Sequence, residues 1–183
     1  METDNRVLDL IIIGGGPGGL TAAIYALRAK LDMLLIEKTG VGGQIALSDI
    51  VDNYPGLPGI SGVDLMAKFE EQAKSFGLEI EYTDVEKVTD AGDHRLVKTT
   101  SGDFRAKTVI IASGAKPRKL GVPGENEFTG RGVSYCATCD GFFFREKNVA
   151  VIGGGDTAVK EALFLTKLVN KVSLVHRRDA LRA

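Results

Sequence analysis

The sequence has almost no net charge, no long apolar run and very few cysteines or histidines, and each absence excludes a class of function. The formal net charge is -1, so no bulk positive field would attract nucleic acid. The longest apolar run near the N-terminus, Leu10 to Ile13, is far too short to span a bilayer. Met1 to Arg6 is polar and acidic, unlike a signal peptide. We therefore expect a cytoplasmic protein that binds neither nucleic acid nor membrane.

The only two cysteines, Cys136 and Cys139, have CxxC spacing. In a reducing compartment, this spacing indicates a redox function rather than a structural disulfide. A structural zinc site needs four ligands, and the sequence has no second CxxC and only two histidines, His94 and His176. CxxC thiols often have a low pKa, which favours attack on a partner disulfide. Asp140 could exchange the proton, or it could be an ordinary turn carboxylate.

A glycine-rich loop follows the first predicted strand, Val7 to Ile13. Gly14, Gly16 and Gly19 fit the pattern G-x-G-x-x-G, and a predicted helix begins within the loop. Such glycines let the backbone approach a pyrophosphate, and the helix N-terminus presents free N–H groups to phosphate. Pro17 suits the first helical turn, where its missing N–H costs nothing. The loop therefore predicts a dinucleotide site.

Glu37 ends the next predicted strand, Met33 to Ile36, and follows Gly14 by 23 residues. A carboxylate at this position accepts hydrogen bonds from ribose hydroxyls and would repel a 2'-phosphate. The alternative is a solvated charge at the end of a strand. With the loop and spacing in place, we expect the first site to bind FAD or NAD rather than NADP.

The same pattern occurs a second time. A strand at Asn148 to Ile152 precedes G-x-G-x-x-A, which begins at Gly153 and includes Gly155, and a helix follows. The next strand, Val172 to Val175, ends at His176, again 23 residues after the first glycine. The residues that would neutralise a 2'-phosphate and favour NADPH are Arg177, Arg178 and Arg182. The alternative is an exposed basic strand end.

The segment between the two loops reads as one helix and several short strands. The helix begins at Ser61 and ends before Gly77. Alternating patterns then predict an antiparallel meander inserted between parallel strands: Glu79–Tyr82, Val85–Thr89 and Arg95–Thr99, followed by a buried strand at Thr108–Ala112. Prolines and glycines at 116–124 mark a boundary, which predicts domains at 1–116 and 117–183. Phe142 to Phe144 is expected to be core, with an apolar docking rim as the alternative.

An FAD site, an NADPH site and a CxxC together form a complete electron route, from nicotinamide to flavin to disulfide. The sequence resembles the low-molecular-weight, bacterial-type thioredoxin reductases. The segments that carry the resemblance are Gly14–Gly19, Gly42–Gln44, Asn53–Gly56, Ala112–Ala115, Cys136–Gly141, Gly153–Ala158 and His176–Arg182. It implies an α/β fold of two Rossmann-like domains of the three-layer ββα type, the kind found in pyridine nucleotide-disulfide oxidoreductases.

The resemblance also implies partners and residue roles. Thioredoxin would be the substrate and the complete enzyme a homodimer. Cys139 would face the flavin, Cys136 would attack thioredoxin, and Asp140 would be the general acid. The further cofactor contacts that it implies are Lys38, Gly43, Gln44, Asn53, Val85, Ala112 and Gly114 for FAD, and Asp156 and Thr157 for NADPH.

The family pattern continues beyond the second ribose-binding strand and returns to the FAD domain. We therefore expect this chain to represent a C-terminally incomplete reductase with a truncated second domain, weak FAD retention and little turnover. Two other functions stay open. One is the flavoprotein reductase of an alkyl hydroperoxide system, and the other is a non-catalytic module that binds nucleotides or senses redox state.

Overall fold

The structure is a computed structural model that describes residues 6–183, so most of the segment that the signal-peptide prediction concerns lies outside the described residues. The chain divides into two compact units, with the division between Lys116 and Pro117. This division falls where the sequence places its domain boundary, and the ligand of each unit stays a prediction. Among the described residues, no helix has the length and apolar character needed to cross a membrane.

The first unit is an α/β unit built on a six-stranded sheet. In the described residues its elements are β1 (Val7–Ile13), α1 (Pro17–Arg28), β2 (Met33–Glu37), α2 (Gly62–Ser75), β3 (Ile80–Tyr82), β4 (Val85–Asp90), β5 (Arg95–Thr99) and β6 (Asp103–Ile111). The strand order is β3-β2-β1-β6-β5-β4. The four strands β3, β2, β1 and β6 are parallel, whereas β5 pairs antiparallel with both β6 and β4, and β4 lies at the edge of the sheet.

Strand β1 lies at the centre of the parallel part. Its neighbouring residues Ile11 and Ile12 point to opposite faces and are both 0% exposed. A strand buried on both faces needs a continuous apolar sequence, which explains why β1 lacks the alternation of an antiparallel strand. The parallel centre with its helices confirms the predicted Rossmann-like class.

Two apolar cores lie on the two faces of this sheet. On one face, helices α1 and α2 pack Leu20 and Met66 against Leu10 and Ile12 of β1. On the other face, Ile11 packs with side chains of the meander, including Val97 and Ala106 in strands β5 and β6. Helices, parallel sheet and meander therefore form three layers, as the ββα prediction requires.

Two strand predictions in this unit were wrong. Ile80–Tyr82 does not belong to the antiparallel meander, because it pairs parallel with β2 at the sheet edge. Residues Thr108 to Ile111 are not a separate buried strand. They complete the long strand β6, and Ile110 and Ile111 are 40% and 68% exposed. This end of β6 pairs with β1 alone, because β5 pairs only with Asp103–Ala106, so one edge of the strand is left without a sheet neighbour.

The second unit contains a short helix and a small βαβ unit. In the described residues its elements are α3 (Ala137–Asp140), β7 (Asn148–Ile152), α4 (Asp156–Leu165) and β8 (Lys171–Val175). Strands β7 and β8 pair in parallel. Helix α4 buries Ala162 and Leu165, which lie on one face of the helix. The unit therefore has the strand–loop–helix–strand order of a nucleotide-binding device.

Candidate functional site

The first glycine loop has two positions where only glycine fits. Gly14 has a φ of +109°, and a Cβ there would lie 2.4 Å from the carbonyl oxygen of Ala112. A Cβ on Gly19 would lie 1.8 Å from the carbonyl oxygen of Gly14. Helix α1 follows Gly16 as its N-cap, and no side chain caps its first turn. The loop thus brings uncapped helical N–H groups to the carboxyl edge of the sheet, where α/β folds bind phosphate.

Glu37 is held against this loop by backbone donors. The N–H of Gly15 donates to Oε2 of Glu37 at 2.7 Å, and the N–H of Thr39 donates to Oε1 at 3.1 Å. Partial burial alone would raise the pKa of Glu37, but these backbone hydrogen bonds together outweigh it and hold the pKa below its ordinary value. The side chain is therefore an ionised acceptor fixed beside the glycine loop.

The structure brings other predicted FAD contacts to the same loop. The N–H of Gly42 donates to the carbonyl oxygen of Gly15 at 2.9 Å. A Cβ on Gly43 would lie 3.3 Å from Cα of Gly16, so these two backbones are in close contact. Ala112 is in close contact with Gly14, because its carbonyl oxygen lies 2.4 Å from the position of a Cβ on Gly14. These residues form one cluster with Glu37.

The remaining predicted FAD contacts are less closely tied to the cluster. Lys38 follows Glu37 and forms an ion pair with Asp84 at 2.5 Å. Val85 begins β4 and packs in the core on the meander face. Three others are exposed and have no hydrogen bond to the glycine loop within the described residues: Gln44, Asn53 and Gly114. Their predicted roles have no geometric support from the loop itself.

The second glycine loop repeats the backbone arrangement of the first. The N–H of Gly153 donates to the carbonyl oxygen of Val175 at 2.9 Å, and the N–H of Gly14 donates to that of Ile36 at 2.8 Å. Gly155 is the N-cap of helix α4 and, as in the first loop, no side chain caps the first turn. The first two residues of that turn, Asp156 and Thr157, are exposed.

His176 occupies the position in the second loop that Glu37 occupies in the first. A Cβ on Gly154 would lie 2.3 Å from Nδ1 of His176, so the imidazole lies directly on the glycine backbone. Its Nε2 atom is buried and has no hydrogen-bond partner in the part of the chain that the structure describes. The ring thus packs against the loop without accepting its N–H.

Three arginines lie close to this loop in sequence or in space. The backbone N–H of Arg182 donates to the carbonyl oxygen of Gly154 at 2.7 Å. The guanidinium of Arg182 lies 3.9 Å from the position of a Cβ on Gly155. Arg177 and Arg178 are exposed, and neither forms an ion pair with any described residue. Positive charge is therefore available at the end of β8 for an anionic ligand.

Cys136 and Cys139 form a disulfide at the start of helix α3, with a Cα–Cα distance of 5.3 Å. Cys136 is the N-cap residue, and its Sγ accepts the N–H of Cys139 at 3.2 Å. A backbone N–H directed at this sulfur favours its thiolate once the disulfide is reduced. The turn packs on helix α4, since a Cβ on Gly141 would lie 3.0 Å from Cδ2 of Leu165.

Ser134 joins Asp140 to the first cysteine. Its hydroxyl donates to Oδ2 of Asp140 at 2.5 Å and lies 3.2 Å from the carbonyl oxygen of Cys136. The hydroxyl oxygen of Ser134 also accepts the N–H of Cys136 at 3.1 Å. The Ser134 hydroxyl therefore fixes the orientation of the Asp140 carboxylate beside the disulfide, and the role of Asp140 in proton transfer stays a prediction. Sequence reasoning missed Ser134, although a serine two residues before a helix N-cap suits such a turn.

The Phe142–Phe144 segment was predicted to be core, and for two of its three residues that prediction was wrong. Phe142 and Phe143 are 51% and 52% exposed and contact each other edge to face. The guanidinium of Arg145 lies 3.7 Å from the ring centroid of Phe142. The segment instead forms an exposed aromatic surface next to the disulfide, which agrees with the docking-rim alternative.

Sequence reasoning also missed Glu125 and Tyr135. Glu125 is only 6% exposed and accepts the hydroxyl of Tyr135 at 2.8 Å. No local pattern marks this residue, because a glutamate after a Pro-Gly pair reads as an exposed turn. Within the described residues, no group of three or more His, Cys, Asp or Glu side chains forms a possible metal site.

The comparisons with known proteins agree with one another. Residues 8–183 match the family described as pyridine nucleotide-disulphide oxidoreductase. The thioredoxin reductase of Bacillus subtilis (strain 168) is 51% identical over 181 residues, which are 99% of this chain and 57% of the relative. That of Listeria monocytogenes is 49% identical over 183 residues, again 57% of the relative. The chain thus spans little more than half the length of these relatives.

Solved structures give the same result. The chain is similar to thioredoxin reductase from Streptococcus pyogenes MGAS5005, with a TM-score of 0.90 and 50% identity, over 98% of this chain and 59% of the other. It is also similar to thioredoxin reductase from Giardia duodenalis, with a TM-score of 0.91 and 39% identity, over the same two shares.

Proposed function

This chain belongs to the pyridine nucleotide-disulphide oxidoreductase family, and on that premise we propose that it carries an NADPH-dependent thioredoxin reductase activity. In this proposal, electrons pass from NADPH through FAD to the Cys136–Cys139 disulfide and then to thioredoxin. The observation that carries it is the CxxC disulfide at a helix N-cap, with Asp140 oriented beside it. The relatives that cover almost the whole chain are named thioredoxin reductase, which supports the choice of substrate.

The first unit has residues that fit FAD. Glycine at Gly14 and Gly19 allows the close backbone approach that a pyrophosphate needs, and the first turn of α1 offers N–H donors. Glu37 would accept the ribose hydroxyls. The residues around it in the site would be Gly16, Pro17, Lys38 and Gly43. When bound, FAD supplies two-electron transfer between a nicotinamide and a disulfide.

The second unit has residues that fit NADPH. The first turn of α4, with Gly153, Gly155, Asp156 and Thr157, would bind the pyrophosphate. The strand end would bind the 2'-phosphate through Arg177 and Arg178, which are exposed and form no ion pair with any described residue. His176 and Arg182 lie against the same loop, and the Arg182 guanidinium would add positive charge to the ribose site.

The two cysteines would have unequal roles. The thiolate of Cys136 would attack the partner disulfide and form a mixed disulfide, and the thiolate of Cys139 would then attack Cys136 Sγ and release the reduced partner. Two electrons and two protons leave the dithiol in the process. The N–H of Cys139 stabilises the Cys136 thiolate, and Asp140, oriented by Ser134, transfers a proton near the sulfurs.

A protein substrate needs a docking surface beside the disulfide. Phe142 and Phe143 provide exposed aromatic area there, and Arg145 adds a cation. We extend the proposal to a cytoplasmic location and, for the complete enzyme, a homodimer. Both follow from the family resemblance and can be tested by fractionation and by sedimentation of the purified protein.

Neither alternative function is favoured. The relatives that match nearly all of the chain are named thioredoxin reductases, not alkyl hydroperoxide reductase components. A purely binding module would have no need for a disulfide with an oriented carboxylate beside it.

The test measures NADPH oxidation and thioredoxin reduction by purified protein supplied with FAD. We expect NADPH to bleach the bound flavin, and thioredoxin to become reduced only when both cysteines are present. The variants Cys136→Ser and Cys139→Ser should each lose thioredoxin reduction while flavin bleaching persists. Bleaching that passes no electrons to thioredoxin in the unmodified protein would overturn the substrate. Absence of any NADPH oxidation with flavin bound would overturn the electron route.

A further inference from the structure

Glu125 is a buried carboxylate with no part in the electron route proposed above. It is the only charged residue among the buried residues of the described chain, with 6% of its surface exposed. A buried carboxylate is unfavourable unless its oxygens are hydrogen-bonded. Its hydrogen-bond partners therefore indicate which parts of the unit the side chain holds together.

Three donors satisfy the carboxylate, and they come from two separate segments. The N–H groups of Leu120 and Gly121 donate to Oε1 and Oε2 at 2.8 and 2.7 Å. The hydroxyl of Tyr135 donates to Oε1 at 2.8 Å. The Leu120 N–H contributes most to holding the pKa of Glu125 below its usual value, with Gly121 and Tyr135 adding to it against the opposing effect of burial. The carboxylate is ionised and links the start of the second unit to Tyr135.

Tyr135 directly precedes the first cysteine of the disulfide. The Tyr135 hydroxyl is hydrogen-bonded to Glu125, so the backbone directly before Cys136 is held in place on one side. The N–H of Cys136 is held on the other side by the Ser134 hydroxyl at 3.1 Å. Helix α3 has four residues and few hydrogen bonds of its own, so its N-terminal position depends on these contacts.

We propose that Glu125 and Tyr135 are positioning residues for the Cys136–Cys139 pair, which hold the first sulfur where it closes readily on the second. Ring closure costs less entropy when the two thiols are already held close together. Loss of the tether therefore favours the open dithiol over the disulfide. The inference rests on the redox role proposed above for this pair.

The experiment measures the equilibrium between the dithiol and the disulfide in the absence of NADPH, FAD and thioredoxin. Oxidised dithiothreitol takes two electrons and two protons from the dithiol, so the protein disulfide forms as dithiothreitol becomes reduced. Acid quenching and maleimide labelling then count the free thiols across a series of dithiothreitol ratios. The variant Tyr135→Phe removes only the hydroxyl that donates to Glu125.

We expect Tyr135→Phe to lower the equilibrium constant for disulfide formation about fivefold. This is less than the roughly tenfold or larger effect of a whole hydrogen bond to a charged group, because only the part of its energy that differs between disulfide and dithiol changes the equilibrium. Glu125→Gln should lower it at least as much, because an amide group cannot accept all three donors. The double variant should match Glu125→Gln alone, since both changes break the same interaction. Melting temperatures measured in parallel confirm that each variant is folded at the assay temperature.

Two controls separate positioning from general loosening. Tyr25→Phe makes the same chemical change at a tyrosine that is 72% exposed in the first unit. Lys119→Ala removes an exposed hydrogen bond to Asn126, which joins nearby residues without involving the carboxylate. Both should leave the equilibrium constant unchanged within about twofold, the precision of such a titration.

The outcomes distinguish the inference from the function on which it rests. If Tyr135→Phe is indistinguishable from Tyr25→Phe while the unmodified pair cycles normally, the positioning inference is wrong and the redox function stands. If the unmodified cysteines form no disulfide at any dithiothreitol ratio, the redox function itself fails. Should Glu125→Gln not fold, Tyr135→Phe alone decides.

Discussion

The two glycine loops share one backbone arrangement and differ in the side chain held against it. In each, the N–H of the first glycine donates to a carbonyl of the following strand, Ile36 in the first unit and Val175 in the second. Glu37 then accepts an N–H from the first loop, whereas the ring of His176 lies against the second loop and its Nε2 has no hydrogen-bond partner among residues 6–183. The two loops therefore share their backbone hydrogen bonds and differ in the side chain, a carboxylate or an imidazole, that lies against them.

The loops also differ at their last small residue, and this difference gives the largest expected effect. A Cβ on Gly19 would lie 1.8 Å from the carbonyl oxygen of Gly14, whereas Ala158 holds the corresponding position in the second loop. We expect Gly19→Ala to lower the free energy of unfolding by about 3 kcal/mol through overpacking. Urea unfolding followed by far-UV circular dichroism measures it.

Gly18→Ala is the matched control for that change. A Cβ on Gly18 would meet no atom within 4 Å, and the residue lies inside helix α1. The variant should therefore be neutral or more stable by about 0.5 kcal/mol. Equal destabilisation by the two variants would show that the close approach at Gly19 is not what restricts the loop.

The charge difference at the strand ends predicts the next largest effect. Replacing Arg177 and Arg178 together with alanine should weaken NADPH binding about a hundredfold, at roughly tenfold for each lost guanidinium–phosphate contact. NADH lacks the 2'-phosphate, so its affinity should change little. Fluorescence titration with both nucleotides measures the ratio. A parallel loss for NADH would mean that the arginines do not distinguish the two cofactors.

Glu37 should give a smaller effect that depends on pH. Its pKa is lower in the folded protein than its ordinary value of 4.5, so ionisation favours the folded state. That stability is complete above the unfolded pKa and is lost as pH falls through the folded pKa. Glu37→Gln should therefore cost about 1.5 kcal/mol near neutral pH, an amount reduced for partial exposure, and progressively less below pH 4.5.

Urea unfolding across a pH series measures this cost. Glu86→Gln corrects for the change in net charge, because Glu86 is exposed in β4 and its carboxylate accepts no hydrogen bond from a backbone N–H of the described residues. A cost for Glu37→Gln that stays constant into acid would contradict a role for the ionised carboxylate in holding the Gly15 N–H.

The smallest effect is expected at Ala158, the counterpart of Gly19. Ala158→Gly should lower stability by about 0.8 kcal/mol, the difference in helix propensity between the two residues. The second loop already accommodates a Cβ there, so no close contact is relieved. Thermal unfolding of the variant measures the change, and an increase in stability would show that the second loop is also overpacked.

The sequence predicted the parts of the fold whose signal is local. Strand β1 and the glycine loop after it have an unmistakable apolar run and turn pattern. Strand β3 was assigned to the wrong neighbour because it has only three residues and its burial is mixed. Such a short strand has the same sequence pattern beside a parallel or an antiparallel neighbour. The connection from α2 decides which strand β3 pairs with, and the hydrophobic periodicity of the sequence carries no information about that connection.

Around the disulfide, the sequence marks Cys136, Cys139 and Asp140 as candidates for the chemistry, but it does not indicate which residues hold them in place. The spacing of Cys136 and Cys139 is a local signal, as is the acid that follows. The contacts from Ser134 and Glu125 depend on how the chain folds back, and Glu125 donors lie 4 to 10 residues away. Phe142 and Phe143 were misassigned because apolar composition alone does not distinguish a core from an exposed aromatic surface.

The pairing of β1 with β6 has a consequence for synthesis on the ribosome. These strands lie roughly 100 residues apart in the chain, so at about 5 to 20 residues per second β1 is made some 5 to 20 seconds before its partner. During that interval a segment that is apolar on both faces has one unpaired edge, which favours aggregation or chaperone binding. Strands β7 and β8 are separated by a single helix and can pair almost as soon as they emerge.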